Sequence, residues 1–182
     1  MNVVLDILGS TIIAGVIVLM LMNFNVFQSN TAISSDSELQ MQQNAKTLAE
    51  IINHDFRKIG FNYDNTAFAQ ADSDRISFYS DIDRNGSVDS VTYFLGNTSE
   101  VTSTTNPNDR ILYRTVNTDT ISGPSLGLTK VKFSYLDGLG AETLTLADIA
   151  YVRAELWIES IEAVDGEYLF TYWEMTINPR NL

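Results

Sequence analysis

The sequence predicts an α+β fold: a long N-terminal helix, apolar in its first half, packs by its second half on a mainly antiparallel β-sheet head. Three observations predict it. Val3 to Val26 is almost wholly apolar, and Ile7 to Met22 carries no charged side chain. From Met41 the apolar residues Met41, Ala45, Leu48, Ile52, Phe56 and Ile59 return at steps of three and four, the signature of one buried helical stripe. Beyond Gly60 the pattern changes to period two, punctuated by Asn-Gly and Asp-Gly turns.

The opening segment is long enough to span hydrocarbon when tilted little. A secretory signal peptide is the competing reading, but no Lys or Arg precedes the apolar run and no small-x-small cleavage site clearly follows it. The first basic residue is Lys46, so loop charge leaves orientation open. Gly9, Ser10, Ala14 and Gly15 are small enough to let another helix approach closely, with Ser10 and Ala14 one turn apart. Asp6 has two readings that are compatible. It is a carboxylate meeting the positive end of the helix dipole, and it is a charge seeking a positive partner on a neighbouring subunit.

Polarity rises between Gln28 and Glu38, and no proline interrupts the chain before Ile59. Arg57, Lys58, Ile59 and Gly60 form a helix stop, with cations at the negative end and a residue free to turn left-handed. A helix from about Val4 to Ile59 would be roughly 80 Å long at 1.5 Å per residue. Its first half therefore needs partners outside its own head. Three segments follow: an apolar membrane or filament-core helix over 1–27, an amphipathic continuation over 28–60, and a β head over 61–182.

Within the head, Arg75 to Leu95 reads as a hairpin closed by Asn85-Gly86, a register that sets Phe78 opposite Tyr93 and Ile76 opposite Leu95. Val101 to Asp109 reads as loop, Ile111 to Val116 as a short strand, and Asn117 to Leu126, with Gly123-Pro124, as loop again. Leu128 to Leu136 is a strand closed by Asp137-Gly138. Val152, Ala154, Leu156 and Ile158 alternate with Arg153, Glu155, Trp157 and Glu159, describing a strand with one buried face. After Asp165-Gly166, the strand Tyr168 to Ile177 has Leu169, Trp173, Met175 and Ile177 as its inward set. Aromatic residues in these windows read as sheet packing, and the outward Trp157 is marked as an interface residue.

Composition narrows the function. With 23 acidic and 11 basic residues the formal charge is -12, which repels phosphate backbones and argues against nucleic acid as a partner. Cysteine is absent and histidine occurs once, at His54, so disulfides, thiolate metal sites and the usual catalytic constellations have little to build from. No catalytic residue is assigned and no enzyme is expected.

One loop carries ligand chemistry. Asp81, Asp83, Asn85, Ser87 and Asp89 place side-chain oxygens at the first, third, fifth, seventh and ninth positions, with Gly86 sixth. This is the front of a calcium loop, in which alternate residues face one cation and glycine permits the bend. The twelfth position is Thr92 in place of glutamate, and strand patterns flank the loop. The competing reading is a solvated hairpin turn in which Asp and Asn cap their own backbone. Ca2+ is thus the one candidate cofactor, and none is required.

In their order along the chain, these features resemble a type IV pilin-like protein of the minor-pilin and pseudopilin group. The residues that carry the resemblance are the apolar opening with Asp6 near its start, the continuation ending in Asp55-Phe56-Arg57-Lys58-Ile59-Gly60, the DxDxNG hairpin, Lys130 to Asp137, and the closing Asn178 to Leu182. The resemblance implies a subunit held in the inner membrane by its N-terminal helix, then drawn into a helical filament of copies of itself or other pilin-like subunits. It would end as an extracellular filament or a periplasmic pseudopilus. Family members pair a glutamate near the mature N-terminus with the next subunit's terminal amine; Asp6, fifth if Met1 is removed, is the nearest match. The sequence departs from the family in opening without the short basic leader that ends in glycine. Either the numbering starts at a processed chain or assembly proceeds without that processing. The reading from a different class is a monomeric, membrane-tethered extracytoplasmic binding module that uses calcium or exposed aromatic residues.

Overall fold

In the computed structural model, which describes residues 3–123, 126–164 and 166–182, helix α1 runs unbroken over Val3–Phe56. Its 54 residues make it about 80 Å long. Gly9 and Gly15 do not interrupt it. The helix stops as its sequence requires: the Lys58 and Ile59 amides donate three residues back, to Asp55 O at 2.9 Å and Phe56 O at 3.3 Å, which tightens the last turn. Gly60 then turns the chain at φ 77°. A side chain there would put its Cβ 2.6 Å from the Asn181 carbonyl oxygen, so glycine is needed both for its backbone and for its size.

The head holds two antiparallel sheets where the sequence led us to expect one. The first runs in chain order through β1 (Phe68–Ala71), β2 (Arg75–Ser80), β3 (Asp89–Leu95), β4 (Leu112–Val116) and β5 (Asp119–Ser122). The second is β6 (Leu128–Leu136), β7 (Tyr151–Glu159) and β8 (Phe170–Ile177). Backbone bonds stitch the two together, from Phe133 N to Ser73 O at 2.7 Å and from Arg110 N to Leu128 O at 2.8 Å. Helix α1 packs on β7 and β8.

Every residue of the expected helical stripe is buried, from Met41 to Ile59. Phe56 sits at the junction of the two sheets. Its ring centroid is 5.7 Å from Phe78 on β2, 5.5 Å from Tyr93 on β3 and 5.8 Å from Phe133 on β6, so one side chain keys the helix to both layers. The inward set Val152, Ala154, Leu156 and Ile158 is fully buried.

Several local expectations are corrected. The β2–β3 register pairs Ile76 with Tyr93 and Phe78 with Val91, two residues from the tight-turn register. The cause is the connection, which spans residues 81–88 and turns through positive φ at Arg84 as well as Gly86. A slip of two leaves each side chain on its face, so the same residues reach the core. The segment expected to be loop after Asn117 contains β5, an edge strand exposed along its whole length. Trp173 faces the core side opposite Leu156 but stays 38% exposed at the sheet edge. Pro124 of Gly123-Pro124 and Asp165 of Asp165-Gly166 lie outside the described residues.

Candidate functional site

Two parts of the molecule hold the residues singled out by sequence, and a third holds a cluster that sequence reasoning missed. The first is the projecting part of α1. No residue between Val3 and Gln40 is buried, and the first buried one among the described residues is Met41. An 18-residue window with mean hydropathy 2.5 has none of its residues covered by the rest of the chain. Within it Asp6, Ser10, Ala14 and Gly15 are exposed and Gly9 is half-buried, and nothing lies within 4 Å of a Cβ built on either glycine. Ser10 Oγ donates to Ile7 O and Thr11 Oγ1 to Leu8 O, each at 2.9 Å, while Asn25 Nδ2 donates to Leu21 O at 3.0 Å. Ser10, Thr11 and Asn25 thus satisfy themselves on their own helix, the arrangement hydrocarbon favours. Met1, whose removal would make Asp6 the fifth residue, lies outside the described residues.

The second part is the loop between β2 and β3. Ligand oxygens of Asp81, Asp83 and Asp89 all lie within 4.8 Å of one another. Asp81 and Asp89 are buried at 3% and 7% exposure, and Asp83 is exposed. The chain wraps around them because their oxygens collect donors. Gly86 N and Asn62 Nδ2 donate to Asp81 Oδ2 at 3.0 and 3.2 Å. Ile82 N donates to Asp89 Oδ2 at 3.2 Å and Asn117 Nδ2 to Asp89 Oδ1 at 2.8 Å. Asn85 N donates to Asp83 Oδ1, and Ser87 N to Asn85 Oδ1. Of the five residues named from sequence, Asp81, Asp83 and Asp89 are brought together. Asn85 is tied to Asp83 through its Nδ2 at 2.9 Å, Ser87 joins through its backbone amide alone, and Thr92 at the twelfth position is engaged on β3, its hydroxyl 2.8 Å from Ser77 Oγ.

The third cluster locks helix to sheet. Asp55 is buried at 4% exposure. Its Oδ2 accepts from Tyr93 Oη at 2.6 Å and from Arg114 Nε, and its Oδ1 lies 3.1 Å from His54 Nδ1. Burial pushes this carboxyl up, yet the hydrogen bonds from Tyr93 and Arg114, with the Arg114 charge, outweigh burial and hold it below its ordinary value. Burial and the Asp55 charge together drive the Tyr93 phenol far above its ordinary value. One signal was present in the sequence: Asp55 lies three residues after Ile52 and four before Ile59, a seam position occupied by a charge.

Trp157, marked from sequence as an interface residue, is half-buried and covered from within the chain. Lys130 Nζ sits 4.5 Å over its ring and Tyr172 packs 5.2 Å away. No protein-family model, curated protein or solved structure matches the chain, so its functional reading rests on its own residues.

Proposed function

We propose that the protein is a structural subunit of a type IV pilus-like filament or pseudopilus, held first in a membrane and then assembled through the apolar half of α1. The observation that carries this is a membrane-length apolar helix with no partner in its own chain. Transfer of each large apolar side chain from water is worth about 1.5–3 kcal/mol. Over Val3 to Phe27 that sums to tens of kcal/mol, far more than a domain's stability, so the segment needs lipid or other copies around it.

The stem favours assembly over a lone tether. Residues 28–40 form one continuous helix with the head, about 20 Å of it, with Ile33 and Leu39 at least half exposed and no basic residue to pair Asp36 or Glu38. An isolated stem of this composition has neither a packed face nor i,i+4 ion pairs to hold it. In a bundle of like helices those apolar side chains are covered. Small residues at Gly9, Ser10, Ala14 and Gly15 allow close packing, and Asp6 selects a register that supplies a positive group. Because lipid tails and neighbouring helices are similarly apolar, exchange of one for the other costs little, and the same segment serves as anchor and as filament core. The membrane would be the inner membrane of the cell envelope, and the assembled product a surface filament or a periplasmic pseudopilus.

Negative-stain microscopy of the full-length protein, expressed in membranes and released from them, tests the proposal. Fibres of uniform width are expected. A protein that stays strictly monomeric on removal of detergent would overturn the filament reading in favour of the tethered module.

A further inference from the structure

The geometry points to a calcium site in the β2–β3 loop, formed by Asp81, Asp83 and Asp89 with Asn85 and Ser87 beside them. The argument is one of hydrogen-bond accounting. Three aspartates carry six oxygens, and five of these have donors: both of Asp83, both of Asp89 and Oδ2 of Asp81. The sixth, Asp81 Oδ1, is buried and has no hydrogen-bond partner. A carboxylate oxygen sealed from water without a donor is costly, and here it belongs to a carboxylate that places an oxygen within 4.8 Å of those of Asp83 and Asp89. The cations of the adjoining chain do not relieve it, because Lys58 Nζ is spent on the Ile82 carbonyl at 3.0 Å and the Arg84 guanidinium lies 5.9 Å over the Phe61 ring. A metal ion at the cluster would supply the missing partner and neutralise the repulsion together.

Donor chemistry selects the ion. All candidate ligands are oxygens, and the cluster holds neither histidine nor cysteine, which favours a hard cation. The irregular loop, with its positive φ at Arg84 and Gly86, and the exposed side at Asp83 suit the loose, partly hydrated shell of Ca2+ better than the rigid octahedron of Mg2+. Thr92 supplies no bidentate carboxylate, so the affinity belongs in the weak range of extracellular modules, Kd on the order of 10⁻⁴–10⁻³ M. The ion would fasten three places at once: the turn after α1 through Asn62, the hairpin itself, and the β4–β5 turn through Asn117. Calcium would therefore stiffen the head whether or not the chain assembles.

The test is thermal unfolding of the full-length protein in detergent, first stripped with chelator and then titrated with CaCl2 or MgCl2, with calorimetric titration alongside. CaCl2 at about 10 mM should raise Tm by roughly 5 °C, and MgCl2 should do much less. Asp83→Asn, at an exposed position where folding is not at risk, should weaken calcium binding about tenfold or more. Asp81→Asn should abolish the calcium shift and raise Tm in chelator, because it removes a buried charge from the cluster. Absence of both a calcium-dependent shift and binding heat, an equal response to the two ions, or an unchanged response in Asp83→Asn would each overturn the site. These readouts are indifferent to filament formation, so failure here is separable from failure of the assembly proposal.

Discussion

Neutralising Asp55 tests whether the helix is held to the sheet by charge as well as by packing. In the native head its carboxylate is buried at 4% exposure, takes a 2.6 Å bond from Tyr93 and contacts Arg114, whose side chain is 24% exposed. A hydrogen bond to a charged group is worth about 1.5–3 kcal/mol. Removing one partner of a buried ion pair costs about 3–5 kcal/mol, because the other charge is left uncompensated. Arg114 retains some access to water, which lowers that figure. Asp55→Asn keeps an oxygen for Tyr93 and should cost about 2 kcal/mol; Asp55→Ala strands both partners and should cost about 3–4 kcal/mol. The assay is urea unfolding followed by the fluorescence of Trp157 and Trp173, both in the second sheet. An Asp55→Asn variant within 0.5 kcal/mol of the parent at pH 7 would refute the lock.

The same group sets an acid dependence. The folded pKa of Asp55 is lowered, so the folded state holds the charged form more tightly than the unfolded chain, whose carboxyl titrates near 3.9. Its contribution is complete above that value and is lost as pH falls through the lower folded pKa. Stability should therefore fall below about pH 4, and Asp55→Asn should remove this part of the slope. An unchanged slope in the variant would place the acid sensitivity in other carboxylates.

Other perturbations separate the remaining parts. Asp6→Ala should leave the urea midpoint of the head unchanged while reducing filament yield; normal yield by microscopy and sedimentation would sink the charge-register idea. Gly60→Ala should destabilise by about 2 kcal/mol or more, since it combines left-handed strain with a Cβ 2.6 Å from the Asn181 carbonyl oxygen. Gly86→Ala, at φ 87° but in open space, should cost only the backbone strain of about 1 kcal/mol, and comparison of the two urea midpoints checks this. Phe56→Ala should cost about 3–5 kcal/mol and, because the ring touches β2, β3 and β6, should loosen both sheets together in hydrogen exchange.

What could be read from the sequence was what repeats. Met41 through Ile59 and Val152 through Ile158 are recoverable because burial imposes a period, and period is a local property of the chain. Strand β5 was invisible for the converse reason. All four of its residues are exposed, so no alternation was imposed on Asp119–Ser122, and its pairing with β4 is made by backbone groups that every residue possesses. Division of the head into two sheets was equally unreadable, since alternation marks a buried face without naming the strand that lies beside it. The hairpin shows a subtler failure: Asn85-Gly86 is a sound two-residue turn signal, but Asp81, Asp83 and Asp89 compete for the same backbone amides and draw the chain into a wider loop. That competition ties the error to the candidate site. A loop that departs from the tightest turn its residues allow, gathers like charges and leaves the buried Asp81 Oδ1 without a donor is poorly explained by hairpin closure alone. Asp55 makes the complementary case, for its seam position was legible, but its partners Tyr93 and Arg114 lie 38 and 59 residues away. Local pattern can mark a buried charge as needing a partner, and only the fold can supply one.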